Sequence, residues 1–246
     1  MYAKIGEESL TASFIRSEEE SCRMQYPTAW LQGVSLGESI ACQLRLKIIN
    51  EELKPGEVLS ENKIAEEFGT SRSPVREAFK ALAAEELIRL ERMGAVIVGL
   101  NLENVKELYD VRYLIESFAQ QRLAGAPQDQ LIQQLEQHID RMKLAVKYND
   151  VVEFARQDFA FHESIVLKAG HTRILHLWNS IRQIVMTVIL VTTEKSFAEG
   201  EERMYWIADK HRGVVEGLKS QDPEKIRQVV QAYFADSMNT LGHTLP

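Results

Sequence analysis

The feature that most constrains this chain is the stretch 60–98, where two short helical patterns meet at one glycine and run straight into two short β patterns. Ser60 stands where it can cap a helix carrying Ile64, Ala65 and Phe68, and Gly69 ends that helix. A second helix begins within Ser71-Arg72-Ser73-Pro74, where proline suits a first turn, and sends Val75, Ala78, Phe79 and Leu82 inward. Two short helices around a tight glycine turn make a helix-turn-helix. Leu87–Leu90 and Ala95–Val98 then read as strands, with Glu91–Gly94 as the turn of a β-hairpin wing. Upstream, Ile40, Leu44, Ile48 and Ile49 share a helical face with Arg45 and Lys47 off it, and Pro55-Gly56 turns the chain. Residues 34–100 are therefore expected to form a winged helix-turn-helix of three helices plus a hairpin.

Past Asn101 no strand pattern returns. Leu108, Val111, Leu114 and Ile115 carry one helix, Leu131, Leu135, Ile139 and Met142 the next, and Phe154, Phe161, Ile165 and Val166 a third. Asp150 and Glu153 suit a capping box for the third, and Asp222-Pro223-Glu224 starts another helix. Residues 101–246 should thus be an all-α antiparallel helical bundle, and the chain mostly α. Residues 1–33 read as a polar, acidic N-terminal tail. A length of 246 residues allows two modest domains, each with its own core.

The net charge of −7 excludes a protein that coats nucleic acid nonspecifically, so any DNA contact must come from a local basic stripe. Cys22 and Cys42 lack CxxC or zinc-ligand spacing and suit a reducing, cytoplasmic setting. Glu7, Glu8 and Glu18–Glu20 interrupt any signal-peptide pattern. The longest apolar run, Ile184–Val191, is far short of the ~20 residues of a spanning helix, so no membrane partner is expected.

Arg72 and Arg76, four residues apart, share a face at the start of the second motif helix, the part of a recognition helix that reaches base edges. Arginine there can fork onto guanine, while Ser71, Ser73 and free backbone N–H groups hold phosphates of double-stranded DNA. Arg92 at the wing tip can follow the backbone or enter the minor groove, with Gly94 allowing close approach. Two arginines at a helix start could also be merely solvated, but the dipole disfavours cations there, which points to an anionic partner.

In the helical part, Asp158 and His162 leave one helix face at i, i+4, and His211 lies on a later, otherwise polar stretch. One Asp with two His from separate helices can make a partial site for Zn²⁺, Ni²⁺ or Mn²⁺, leaving positions for a bound carboxylate. Arg112 can point inward and fork onto that carboxylate. The bland alternatives are a surface Asp–His pair and a surface Arg112 paired to Glu116. His138, His171, His176 and His243 have no partner at ligand spacing, and Phe159 and Phe161 read as core.

Residues 38–100, through Leu59-Ser60-Glu61-Asn62, Ser71-Arg72-Ser73-Pro74-Val75-Arg76-Glu77-Ala78 and Gly94, resemble the DNA-binding domain of the GntR family. The rest resembles the FCD-type helical domain of its fatty-acid-responsive branch, through Asp110-Val111-Arg112 with Glu116, Asp158 to His162, and His211. The resemblance implies a homodimeric transcription factor, with Asn62 joining Ser71, Arg72, Ser73, Arg76, Arg92 and Gly94 at the operator. Tyr26-Pro27, Trp30-Leu31 and Ile88 to Val96 narrow the likeness to gluconate-responsive repressors. They imply release from DNA by gluconate or a related sugar acid. Alternatives are the same fold responding to lactate, a hexuronate or an amino acid, or a metal-dependent enzyme using the helical-domain site. The family's metal site uses an Asp and three His; Asp158, His162 and His211 match the first three, and the fourth falls at Tyr233. A phenol with pKa ~10 is a poor ligand at neutral pH. The effector site is then Arg112, Asp158, His162, His211 and Tyr233, holding one divalent ion through three ligands or none.

Overall fold

The computed structural model describes residues 25–92 and 94–244. By its contacts the chain divides into two compact units, Met1–Gly33 and Val34–Pro246. In the first, the described residues hold a 3-10 turn, Thr28–Leu31, with the Tyr26 ring edge-on to Trp30 at 5.8 Å. Cys22 and most of the expected tail lie outside the described residues.

The second unit opens with helix α1, Leu36–Ile49, whose first turn is capped by the Ser35 hydroxyl accepting from the Glu38 N–H at 3.1 Å. Helix α2, Glu61–Glu67, and helix α3, Arg72–Ala84, follow across the glycine turn, with Gly69 at φ +59°. Pro74 is the third residue of α3, and Ser60 starts α2 without a side-chain cap bond. Val75, Ala78, Phe79 and Leu82 of α3 pack against Ile40, Leu44 and Ile48 of α1 to make the core.

The wing has one strand more than the sequence suggested. Strand β1, Val58–Ser60, joins β2, Ile88–Glu91, and β3, Gly94–Ile97, in antiparallel order β1-β3-β2, with Leu59 and Leu90 flanking Ala95. Arg45 corrects a second expectation. Instead of lying off the apolar face it is fully buried, and it forks onto Glu85 at the end of α3 through Nε–Oε2 at 2.6 Å and Nη2–Oε1 at 2.7 Å. A buried guanidinium keeps its charge only with such a partner, so the pair fixes α1 against the far end of α3.

Six helices follow among the described residues. They are α4 (Leu102–Arg122), α5 (Asp129–Lys147), α6 (Val151–Lys168), α7 (Thr172–Phe197), α8 (Glu201–Ser220) and α9 (Pro223–Thr244). Asn101 and Asn104 close a reciprocal capping box on α4. On α6, Asp150 accepts from the Glu153 N–H, but the Glu153 carboxylate turns to Arg156 and Gln157, leaving half of the expected box. Helix α7 is the hub, packing on α4, α6, α8 and α9 and also on α1. At 26 residues it is long and apolar enough to cross a membrane by length and composition, more than the run Ile184–Val191 suggested. Its Trp178, Val185, Val188, Leu190 and Val191 are instead core residues of the bundle.

Candidate functional site

Asn62, Ser71, Arg72, Ser73, Arg76 and Arg92 are all exposed. Ser71 makes no cap bond to α3, so its hydroxyl and the first-turn N–H groups are uncommitted, an arrangement suited to a phosphate. Arg72 has no side-chain partner among the described residues. Arg76 does: its Nε donates to Glu61 Oε2 at 2.9 Å. Gly94 departs from the expectation of an approach to DNA. It is buried, and a Cβ there would overlap the Leu59 carbonyl, so the missing side chain serves the β1–β3 contact.

In the bundle, α4, α6, α7, α8 and α9 enclose a pocket lined by Arg112, Asp158, Thr193, Ser196, Lys210 and Tyr233, among others. The structure brings Asp158 and His162, paired by their i, i+4 spacing, together with His211 from a separate helix. Asp158 Oδ1 lies 3.4 Å from Nε2 of both imidazoles, and the three ligand atoms fall within 4.8 Å of one another. Tyr233 completes the cluster, its hydroxyl 2.9 Å from His162 Nε2 and 3.0 Å from His211 Nε2. The other ring nitrogens are also held. His162 Nδ1 meets Glu116 Oε2 at 2.5 Å, and His211 Nδ1 donates to the Ile207 carbonyl at 2.9 Å. His211 does not sit on a polar stretch; Ile207, Ala208, Val214 and Val215 of the same helix are buried with it.

The electrostatics follow from burial and pairing. Burial pushes the Asp158 carboxyl up, but the neighbouring His162 and His211 overcome it and hold it well below the usual range. Burial alone would lower His162; the Glu116 charge and the Asp158 bond raise it instead. At His211 burial wins and favours the neutral ring, and burial also drives the Tyr233 phenol well up. Arg112 is buried, not a surface cation. Its Nε donates to Glu116 Oε1 at 3.0 Å, its Cζ stacks 4.7 Å from the Tyr109 ring, and its Nη2 is buried without a hydrogen-bond partner among the described residues.

The donor set fits a divalent ion. Two ligands at ~2.1 Å in a tetrahedral shell lie roughly 3.4 Å apart, the spacing of Asp158 Oδ1 from each Nε2. Glu116 and the Ile207 carbonyl orient the rings from behind, as partners of metal-bound imidazoles do.

Glu116 did not figure in the sequence-based site, nor did Thr193, Ser196, Lys210 and Ser237. The signals were there: Thr193 and Ser196 are one turn apart just after the apolar run, Lys210 adjoins His211, and Ser237 follows Tyr233 by one turn. The remaining described histidines are structural or exposed. His138 bonds Gln157 at 2.6 Å, His171 caps α7 by accepting from the Ile174 N–H, and His176 faces solvent. The His243 side chain lies outside the described residues.

A family model described as bacterial regulatory proteins, gntR family, matches residues 36–98, and the FCD domain model matches residues 107–236. The chain is 40% identical over 217 residues to the gluconate operon transcriptional repressor of Bacillus licheniformis, covering 88% of this chain and 89% of that one. It is 39% identical over 217 residues to the gluconate operon transcriptional repressor of Bacillus subtilis, with the same coverage. The solved structure of E. coli McbR/YncC matches with a TM-score of 0.65 at 19% identity, over 85% of this chain and 98% of that one, a likeness of fold.

Proposed function

Because the chain belongs to the GntR family, with an FCD domain, and is thus a transcriptional regulator rather than an enzyme, we propose that it represses a sugar-acid catabolic operon. Gluconate or a related sugar acid releases it from the operator. In this reading residues 34–100 bind DNA through Asn62, Ser71, Arg72, Ser73, Arg76 and Arg92, and residues 101–246 sense the acid. It acts in the cytoplasm, where the operator lies.

The observation that carries the reading is Arg112 Nη2, a buried donor without a partner among the described residues, at the edge of a hydroxyl-lined pocket. Leaving such a group unsatisfied costs ~1–3 kcal/mol, which a ligand carboxylate would recover. Thr193 and Ser196 make no side-chain hydrogen bond to any described residue and offer themselves to a polyol. Asp158, His162 and His211 would hold a divalent ion, which supplies positive charge to draw a carboxylate or hydroxyl oxygen. Calorimetry with gluconate, a hexuronate, lactate and an amino acid tests this. Gluconate should bind tightest and lactate, with a single hydroxyl, at least tenfold more weakly, the value of one or two hydrogen bonds. Equal affinity for lactate and gluconate would remove the sugar-acid reading.

The regulator works as a homodimer, since a helix-turn-helix reads one half-site and the symmetric operator needs two. Helix α4 supports this with an outward apolar stripe, Val111, Leu114 and Phe118, in which Leu114 is 67% exposed. Leu114→Glu should give monomers by light scattering and weaken operator binding roughly a hundredfold, because the second half-site no longer binds at high effective concentration. A dimer at wild-type strength would move the interface elsewhere.

A further inference from the structure

We propose that Glu61 is a positioning residue for base reading: it grips Arg76 by Nε and presents the two Nη groups together to a guanine edge. The inference rests on the assignment of Arg76 to the operator. Glu61 is the first residue of α2, and Arg76 lies in the second turn of α3, across the glycine turn. Their contact is a single bond, Nε to Oε2 at 2.9 Å, and neither Nη group bonds any described residue. A fork onto guanine O6 and N7 needs two donors in one plane. Holding the guanidinium by Nε or one Nη leaves two others, and holding it by Nε leaves the outermost pair.

The pair is not there for stability. The Glu61 side chain is 20% exposed and that of Arg76 56%, and ion pairs this open contribute little to folding. Their value lies in preorganisation, since an arginine already held gives up less rotamer freedom on docking. The pairing also cancels the charge of Arg76, which then gains little from a phosphate and most from a base edge. Arg72, one turn earlier on the same face and without a side-chain partner among the described residues, keeps its full attraction for the backbone. The motif helix thus separates a reading arginine from an attracting one, a useful division in a chain of net charge −7.

The test uses the full chain and the variants Arg76→Ala, Glu61→Ala and Glu61→Gln. Each selects sites from a pool of random-sequence duplexes, and its affinity for the selected and random duplexes is then titrated against salt. Wild type should prefer guanine at a position that Arg76→Ala flattens. Glu61→Ala should weaken that same preference roughly tenfold and leave other positions unchanged. It should also bind random duplex more tightly, with a salt slope steeper by about one charge. Glu61→Gln keeps an acceptor for Nε but not the charge, so it should recover part of the guanine preference while retaining the steeper slope. Because it is nearly isosteric, it also separates the effect from a folding defect. Glu61 variants that select the wild-type sequence at the wild-type salt slope overturn the proposal. An Arg76→Ala variant that keeps the guanine preference overturns the assignment of Arg76 itself, a distinguishable failure that takes the proposal with it.

Discussion

Arg112→Met should abolish induction by gluconate while the protein still occupies its operator, leaving transcription shut in the presence of the acid. Methionine retains much of the arginine's length but neither charge nor fork, so a carboxylate leaving water would meet no cation on α4. Glu116 would lose one partner and keep the other, His162 Nδ1 at 2.5 Å, so it is not left bare in the bundle. The variant should therefore fold, with a melting temperature lowered by several degrees for a loss of about 1–3 kcal/mol. A reporter with and without gluconate, alongside thermal shifts with the acid, checks both halves. His211→Ala should reproduce the locked repressor only where an ion bridges protein and ligand, so the two variants separate direct from metal-borne capture. A gluconate response in Arg112→Met equal to wild type would exclude Arg112 from the site.

Tyr233→His should raise the affinity for Zn²⁺ by about a hundredfold, the upper end of what groups around a metal shell contribute. The Tyr233 hydroxyl already lies within 3.0 Å of both His162 Nε2 and His211 Nε2, so the position faces the ligand cluster. Burial keeps that phenol protonated, and a protonated phenol donates no lone pair comparable to that of a neutral imidazole. Calorimetric titration of both proteins with Zn²⁺ measures the difference. Equal affinities would mean that the wild-type shell is complete without a fourth side chain.

Local patterns carried most of the architecture. Ser71 to Leu82 could be read as a recognition helix because apolar spacing, proline and glycine act within a few residues of one another. Asp158 and His162 could be paired because i, i+4 spacing fixes two ligands on one face; His211 joined them only through the resemblance to the FCD ligand set. Strand β1 was hidden, since the residues Val58–Ser60 become a strand only by pairing with β3 across more than thirty intervening residues. Arg45 was misplaced for a related reason. A cation reads as solvated until the partner that compensates it, here Glu85, forty residues away, is brought alongside. Gly94 was assigned to DNA because its freedom is visible in sequence, whereas the Leu59 backbone that claims it is not. The hydroxyls of Thr193 and Ser196, one turn apart just after the apolar run, gain meaning only once the other helices close the pocket around them.

Helix α7 sets a limit on how this regulator can change over evolutionary time. Thr193 and Ser196 line the pocket, while Glu194 between them feels the charge of Glu52 just beyond α1. One stretch of α7 thus carries both pocket-lining hydroxyls and a carboxylate in the field of Glu52. On the proposed reading, a substitution that adapts this stretch to a new effector falls on a helix that also packs on α1. On the proposed reading, effector preference and strength of response are tied to one helix, and a lineage that changes its effector must retune its switch in the same step.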